Sequence, residues 1–219
     1  HKKGTGGKVD ALFLGDQAEK GFWRCLVQPG LKEGQVVEFP GGLEGVYAGR
    51  DKDGMVLLDL PGLTDSKAWL EANGTVPLPP YIKREPGKTD ERDYQTVYAK
   101  KEGAVASPTA GLHFTKELLS TLERSGVEVL TVTLHVGYGT FRPVEDLENH
   151  RMHSERFELT PETADKINRA KQEKRAVWAV GTTSLRVLET CVVKKRLVPG
   201  KARPTCISAN PLNSRRSII

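Results

Sequence analysis

"AVWAVGTTSLRVLET", residues 176–190, is the stretch on which the fold turns. "AVWAV" is a short apolar run that ends at Gly181, which predicts a strand. After "GTTS", "LRVLET" begins a helix. The same alternation recurs upstream. "AVAS" (104–107) reads as a short strand, and Thr115 then caps a helix whose Leu118, Leu119 and Leu122 share a face, with Gly126 as its stop. "VEVLTVTL" (127–134) reads as a buried strand and "RFELT" (156–160) as another. Thr160 caps the next helix, with Pro161 at its first position and Ala164, Ile167 and Ala170 on a narrow inner face. Strands alternating with helices indicate an α/β layer.

The first third of the chain has a different rhythm. "KVDALFL", "FWRCLV", "QVVEF" and "MVLLDL" are short strand-like runs bounded by Gly, Pro or Asp. They predict a small antiparallel sheet or barrel, with a hairpin turn at Asp53-Gly54. The expected class is therefore mixed α/β with an inserted small antiparallel β-barrel. The barrel is expected over residues 1–75, the α/β part over 76–198 and a divergent tail over 199–219. Between the first two runs "GTVPLPPYIKREPGKTDERDY" (74–94), whose prolines bias it to extended form. Lys83, Arg84, Lys88 and Arg92 beside Tyr81 and Tyr94 could contact a phosphate backbone, and a solvated linker is the plainer use of the same residues.

Bulk properties narrow the classes. The chain has 219 residues, 37% hydrophobic and 28% charged, with a formal charge of +5. That is enough for one large domain or two small ones, and the basic excess is compatible with nucleic-acid contact without requiring it. Cys25, Cys191 and Cys206 are odd in number and far apart, which argues against a disulfide framework or a structural zinc site and fits a reducing cytosol. No apolar run approaches the roughly 20 residues of a membrane helix. The chain begins at His1 within a strand-like pattern, so a preceding N-terminal part is expected.

Ligand sites in open α/β sheets gather beyond the carboxyl ends of strands. Here those ends are "PTAGLHF" (108–114), "HVGYGTF" (135–141) and "GTTS" (181–184), all containing Gly and Thr. If their strands are parallel neighbours, the three loops share an edge. "GTTS" before a helix offers N–H groups and hydroxyls to a carboxylate or phosphate, with Arg186 just inside the helix. A simple cap at Ser184 would use the same residues. "HRMHSE" (150–155) places His153 and Glu155 two apart, on one side of an extended segment. Glu155 could orient His153 as a base, serve as the base itself, or form a structural pair with it. His135, His150 and His153 leave a metal-dependent hydrolase as a rival, although HExxH is absent. A non-catalytic RNA-binding module is a third reading.

Taken in order, "PLPPYI", "DYQTVYA", "GAVASPTAGLHFT", "VTLHVGYGTFRPV", "HRMHSE" and "GTTSLRVLE" closely resemble the S-adenosylmethionine:tRNA ribosyltransferase-isomerase family of queuosine biosynthesis. "KKGTGGKVDALFL" (2–14) is similar to that family's entry into an inserted β-barrel, and the resemblance runs from residue 1 to about Glu189. It implies a cytoplasmic, monomeric transferase that uses S-adenosylmethionine as ribosyl donor, with no metal. The acceptor implied is the 7-aminomethyl-7-deazaguanine base at the tRNA wobble position, and adenine and methionine leave as epoxyqueuosine forms. Read against that chemistry, His113 and His135 are acid/base candidates, with His153 and Glu155 in support. Thr182, Thr183 and Arg186 would hold the methionine carboxylate or a phosphate. Gly137 and Gly139 would let backbone pass close to ribose, and Thr109, Gly111, Thr140 and Gly181 complete the expected substrate contacts. Lys83, Arg84, Arg92 and Tyr94 are the expected tRNA contacts.

"GKARPTCISANPLNSRRSII" (200–219) reads unlike the family. Moved by two nucleotides, with permitted codons, it can encode "GQTDLYIRQPFKFKAVDH", which follows the family pattern. A frameshift near Val198–Lys201 is therefore expected, with the last stretch loosely packed and the chain open to loss of stability or activity.

Overall fold

The computed structural model describes residues 1–17, 21–79, 81–137 and 155–202. It divides into two compact units, His1–Pro77 and Leu78–Ile219, of mixed α/β structure.

Five antiparallel strands build the first unit: β1 (Asp10–Gln17), β2 (Phe22–Gln28), β3 (Val36–Glu38), β4 (Glu44–Arg50) and β5 (Val56–Asp59). Their order is β1-β2-β5-β4-β3. β1 and β3 stand at the two ends of this order, and the sheet is a curled half-barrel. The segment before β1 runs along the outer side of β3, with Lys2 bridging Val37 and the Lys3 N–H donating to the Val36 carbonyl at 2.9 Å. Bulges between Phe13 and Gly15 in β1, and between Tyr47 and Gly49 in β4, curl the sheet. The expected hairpin turn joins β4 to β5, and Asp51 organises it by accepting from the N–H groups of Asp53 and Met55 at 2.9 and 2.8 Å.

Alternation along β2 and β5 turns Trp23, Cys25, Val56 and Leu58 into the core. Trp69 and Leu70 of α1 (Ser66–Asn73) pack against it. Trp69 meets Trp23 edge-on at 5.5 Å, and Asp65 caps the helix through the Ala68 N–H. Each fully buried aliphatic side chain contributes on the order of 2 kcal/mol. Burial pushes the Cys25 thiol up to about 12, which leaves it a packing group.

In the second unit, α2 (Asp90–Asp93) closes the proline-rich stretch. A 3₁₀ turn (Thr109–His113) precedes α3 (Lys116–Arg124), which Thr115 caps as its sequence predicts. Then come β6 (Thr133–His135), β7 (Arg156–Leu159), α4 (Pro161–Gln172) and α5 (Gly181–Thr190), followed by the short strands β8 (Val192–Val193), β9 (Arg196–Leu197) and β10 (Gly200–Ala202). The expected parallel edge is not found among the described strands. β10, β7 and β6 form an antiparallel sheet in that order, and β8 and β9 form a hairpin.

The apolar alternation of the predicted strands survives where the ladder does not. Leu130, Val132 and Leu134 all face the core, but "VEVLTVTL" pairs only in its last residues. "AVWAV" forms no ladder with the described residues; Val177 and Ala179 face the core while Trp178 is 85% exposed. "AVAS" makes a single backbone bond beside β6, from the Val105 N–H to the Val136 carbonyl at 2.9 Å.

Ala164, Ile167 and Ala170 of α4 are buried as expected, and Phe157, Leu159, Val187, Leu188 and Leu197 complete the core. Asn168 is buried with them. Its amide donates to the Leu197 carbonyl at 2.8 Å and accepts from the Leu197 N–H at 2.9 Å, so α4 holds the hairpin. The first residues of the expected loose tail are regular, since β10 pairs with β7; residues 203–219, with Cys206 and most of the frameshift reading, lie outside the described residues. No helix among the described residues is long and apolar enough to cross a membrane.

Candidate active site

The loop "SPTAGLHFT" folds into its turn through two local bonds. The Gly111 N–H donates to the Pro108 carbonyl at 2.8 Å and the Phe114 N–H to the Gly111 carbonyl at 3.1 Å. Thr109 and His113 stand exposed on this turn, while Gly111 is buried. "DYQTVYA" supports it. The Ser107 backbone hydrogen-bonds the Tyr94 hydroxyl, and burial raises the tyrosine's pKa. Thr96 is buried, and Tyr98 leans on Gly111. A Cβ at Gly111 would overlap the Tyr98 hydroxyl oxygen and stand 2.9 Å from Thr96 Cγ2. The glycine is therefore needed to admit a tyrosine, a reason different from the ligand approach expected of it. Ser107 Oγ is buried without a hydrogen-bond partner.

The second loop meets the first. Gly181 opens α5 at φ +80°, a conformation that favours glycine, and a Cβ there would stand 3.1 Å from the Ala110 Cβ. The helix begins at Gly181 with Val180 as its N-cap residue, so Ser184 lies inside the first turn rather than capping it. No side chain caps this end. Its first N–H groups have no partner within the helix and carry the positive end of the helix dipole, beside exposed Thr182 and half-buried Thr183. An anion fits there chemically.

Glu155 joins the third loop to the same helix. It is 7% exposed. Oε1 accepts from the Gly137 N–H at 3.0 Å, and Oε2 stands 2.5 Å from Arg186 Nη2 as an ion pair. Beyond that ion pair, Glu155 Oε2 and Arg186 Nε have no hydrogen-bond partner. Arg186, expected as an anion clamp, is thus engaged by an internal carboxylate, and Glu155 ties two loops together.

His135 is not part of this group. It pairs in register with Arg156 and shares that residue's face of the ladder, while Glu155, one residue earlier, points to the other face. Its ring lies against Gly103, where a Cβ would come within 3.1 Å of Nδ1 and 3.4 Å of Arg156 Nη2. Burial first, then the cationic Arg156 and Lys101, hold the imidazole below its ordinary pKa, against a smaller opposing effect of Glu158. His153, Gly139 and Thr140 lie outside the described residues, as does His150. Among the described residues no three His, Cys, Asp or Glu side chains gather as metal ligands.

The expected tRNA contacts separate. Lys83 is exposed, and Arg92 donates to its neighbour Asp93 at 2.9 Å. Arg84 is bidentate to Asp90, at 2.6 and 2.7 Å, and the Gly87 N–H donates to the same carboxylate at 2.6 Å. The Arg84 bond, then the Gly87 N–H, hold the Asp90 carboxyl at about 2. Tyr94 belongs to the support of the first loop. Thr96, Tyr98 and Ser107 are the site residues that sequence reasoning missed. The one available signal was a glycine in one motif requiring a large neighbour from another, and spacing does not reveal such a pairing.

Residues 1–212 match the family model described as queuosine biosynthesis protein, which carries the likeness past Glu189 into the stretch expected to diverge. A Desulfitobacterium hafniense protein named S-adenosylmethionine:tRNA ribosyltransferase-isomerase is 44% identical over 96% of this chain and 62% of its own length. One of the same name from Natranaerobius thermophilus is 47% identical over 92% of this chain and 60% of its own. The solved S-adenosylmethionine tRNA ribosyltransferase of Thermotoga maritima aligns at 24% identity over 94% of this chain and 56% of that one, with a TM-score of 0.35. The chain spans about three-fifths of the length of the curated relatives it matches.

Proposed function

The chain belongs to the queuosine biosynthesis protein family, and on that premise we propose that it serves S-adenosylmethionine:tRNA ribosyltransferase-isomerase chemistry. In this reading the ribosyl unit of S-adenosylmethionine is transferred to the aminomethyl group of 7-aminomethyl-7-deazaguanine in tRNA and isomerised to epoxyqueuosine. Adenine and methionine are released. The observation that carries the reading is the 44% and 47% identity to relatives of that name over nearly the whole chain. The protein would work as a cytoplasmic monomer. The curled sheet of the first unit would be the inserted barrel domain, and Lys83 and Arg92 would meet tRNA phosphate.

The chemistry makes three demands. The sulfonium acidifies the C5′ proton, so a base must take it; departing adenine must receive a proton; and the methionine carboxylate needs an anion site. The uncapped start of α5, with Thr182 and Thr183, fits the carboxylate. His113, exposed on the adjoining turn, fits proton transfer, and Thr109 beside it fits a ribose hydroxyl. Glu155 and Arg186 then act as positioning residues that hold the Gly137 loop to α5.

Incubation with S-adenosylmethionine and tRNA bearing the deazaguanine precursor tests this, with a full-length relative run in parallel. Equimolar adenine and methionine, formed only with that tRNA, are expected. Methyl transfer to the tRNA, or product release indifferent to the precursor base, would reject the reading.

A further inference from the structure

We propose that Tyr98 is a positioning residue of the candidate active site, acting as a wedge that sets the turn carrying Thr109 and His113. As a statement about substrate binding, this rests on the function proposed above. The geometry gives the tyrosine a specific place. Its hydroxyl oxygen occupies the position that a Cβ of Gly111 would need, and its Cζ stands 3.0 Å from that position. Burial raises its pKa, so the hydroxyl stays protonated and neutral where it sits. Thr96 Cγ2, at 2.9 Å, closes the same space from beside it. Gly111 therefore cannot move toward Tyr98, and Ala110, its neighbour, lies close enough to the start of α5 that a Cβ at Gly181 would stand 3.1 Å from its own Cβ.

The turn thus contacts a tyrosine and lies beside a helix start. A shift of the wedge displaces Thr109 and His113 together relative to the α5 N–H groups. Misplacement of reacting groups by about 1 Å is enough to cost large factors in rate. Tyr98 need not touch the substrate for this, and its effect passes through Gly111.

A rescue cycle tests the wedge. Gly111→Ala, Tyr98→Phe and the double variant are made in the whole chain, and S-adenosylmethionine binding is measured by calorimetry. Overpacking by Gly111→Ala should weaken binding about tenfold. Tyr98→Phe alone removes the wedge oxygen and should weaken binding about threefold, while the double variant, in which Thr96 Cγ2 and the ring carbon still crowd the new methyl, should recover part of the loss and stand within about fivefold of the parent. The second reading is the imidazole resonance of His113, one of five histidines. It should move in Gly111→Ala and return in part in the double variant. Should the parent bind no S-adenosylmethionine, the proposed function fails, and the His113 resonance still decides the wedge. Should Gly111→Ala fail to fold, Tyr98→Phe must still move the His113 resonance, and an unmoved resonance there overturns the inference. Parent-like behaviour of Gly111→Ala, or a double variant no better than the single one, overturns the inference.

Discussion

Two arginines of this chain meet carboxylates in contrasting ways. Arg84 closes a loop on Asp90, six residues away, with two parallel bonds at 2.6 and 2.7 Å, and its own side chain lies in water. Arg186 reaches Glu155 from a different element, at 2.5 Å, with both side chains largely covered. The first pair is local and well bonded; the second is remote and joins two parts of the site. The difference separates pairing strength from structural consequence. Both carboxylates are covered, at 7% and 6% side-chain exposure, so the pairs differ in the arginine: a water-exposed one is screened and closes only its own loop. A buried pair contributes little net attraction, yet losing either partner strands the other.

The largest effect should therefore come from Glu155→Ala. It leaves Arg186 without its counter-charge and the Gly137 N–H without its acceptor. The expected loss is about 3 kcal/mol in denaturant unfolding of the second unit, with much faster hydrogen exchange at the Gly137 amide. Glu155→Gln keeps an acceptor for Gly137 and should lose less. If Asp90→Ala costs as much as Glu155→Ala, cover does not govern the two pairs and the comparison fails.

Asn168 supplies a neutral control. It is as buried as Glu155, and it clamps Leu197 with two good bonds, but it carries no charge. Asn168→Leu should cost about 2 kcal/mol, from the Leu197 N–H and C=O left unpaired. Thermal unfolding would rank it between the two ion pairs. A cost above that of Glu155→Ala would show that backbone satisfaction, rather than charge, dominates this core.

The contrast also explains what the sequence could and could not reveal. Short-range features came through: the Thr115 and Thr160 caps, the Asp53-Gly54 turn and the buried face of α4 all depend on residues within a few positions. β4 was missed because "EGVYAGR" has glycines where a strand signal wants branched residues. Gly45 is there to admit Phe39, whose ring a Cβ would approach to 2.9 Å. A shared edge was expected only if the strands were parallel neighbours; instead an antiparallel ladder places Gly137 beside Glu155, and α5 meets the 109–113 turn. Arg84 was read as a free cation because its run is basic, although Asp90 stands in the same run. Arg186 could not be paired from sequence at all, since Glu155 comes from another element. Partners fixed by tertiary packing leave no spacing to read.

A smaller effect is expected where the arginine is the exposed partner. Arg84 holds Asp90 at about 2, below its ordinary 3.8. A carboxyl depressed on folding adds stability above its unfolded value, and that contribution is lost as pH falls through about 2. Arg84→Ala should move the Asp90 titration back toward 3.8, read by carboxyl carbon shifts, with little change in stability at neutral pH. An unmoved titration would mean that the Gly87 N–H alone sets it.

The smallest effect belongs to His135, where cations face an imidazole and the carboxylate does not prevail. Burial, Arg156 and Lys101 all lower its pKa from 6.5, and Glu158 opposes them only weakly. Here the unfolded chain binds the proton more readily than the folded one, so the sign is opposite to that of a paired histidine. Stability should fall as pH drops below 6.5 and level off once the folded ring has also titrated. Lys101→Met and Arg156→Met should each raise the His135 pKa, measured by the ring carbon-bound proton resonance, and should flatten that acid limb. Arg156 is the stronger of the two cationic influences, so Arg156→Met should give the larger rise. A larger rise from Lys101→Met would reverse that order. The distinction drawn from the two arginine pairs would then not extend to this face of the ladder.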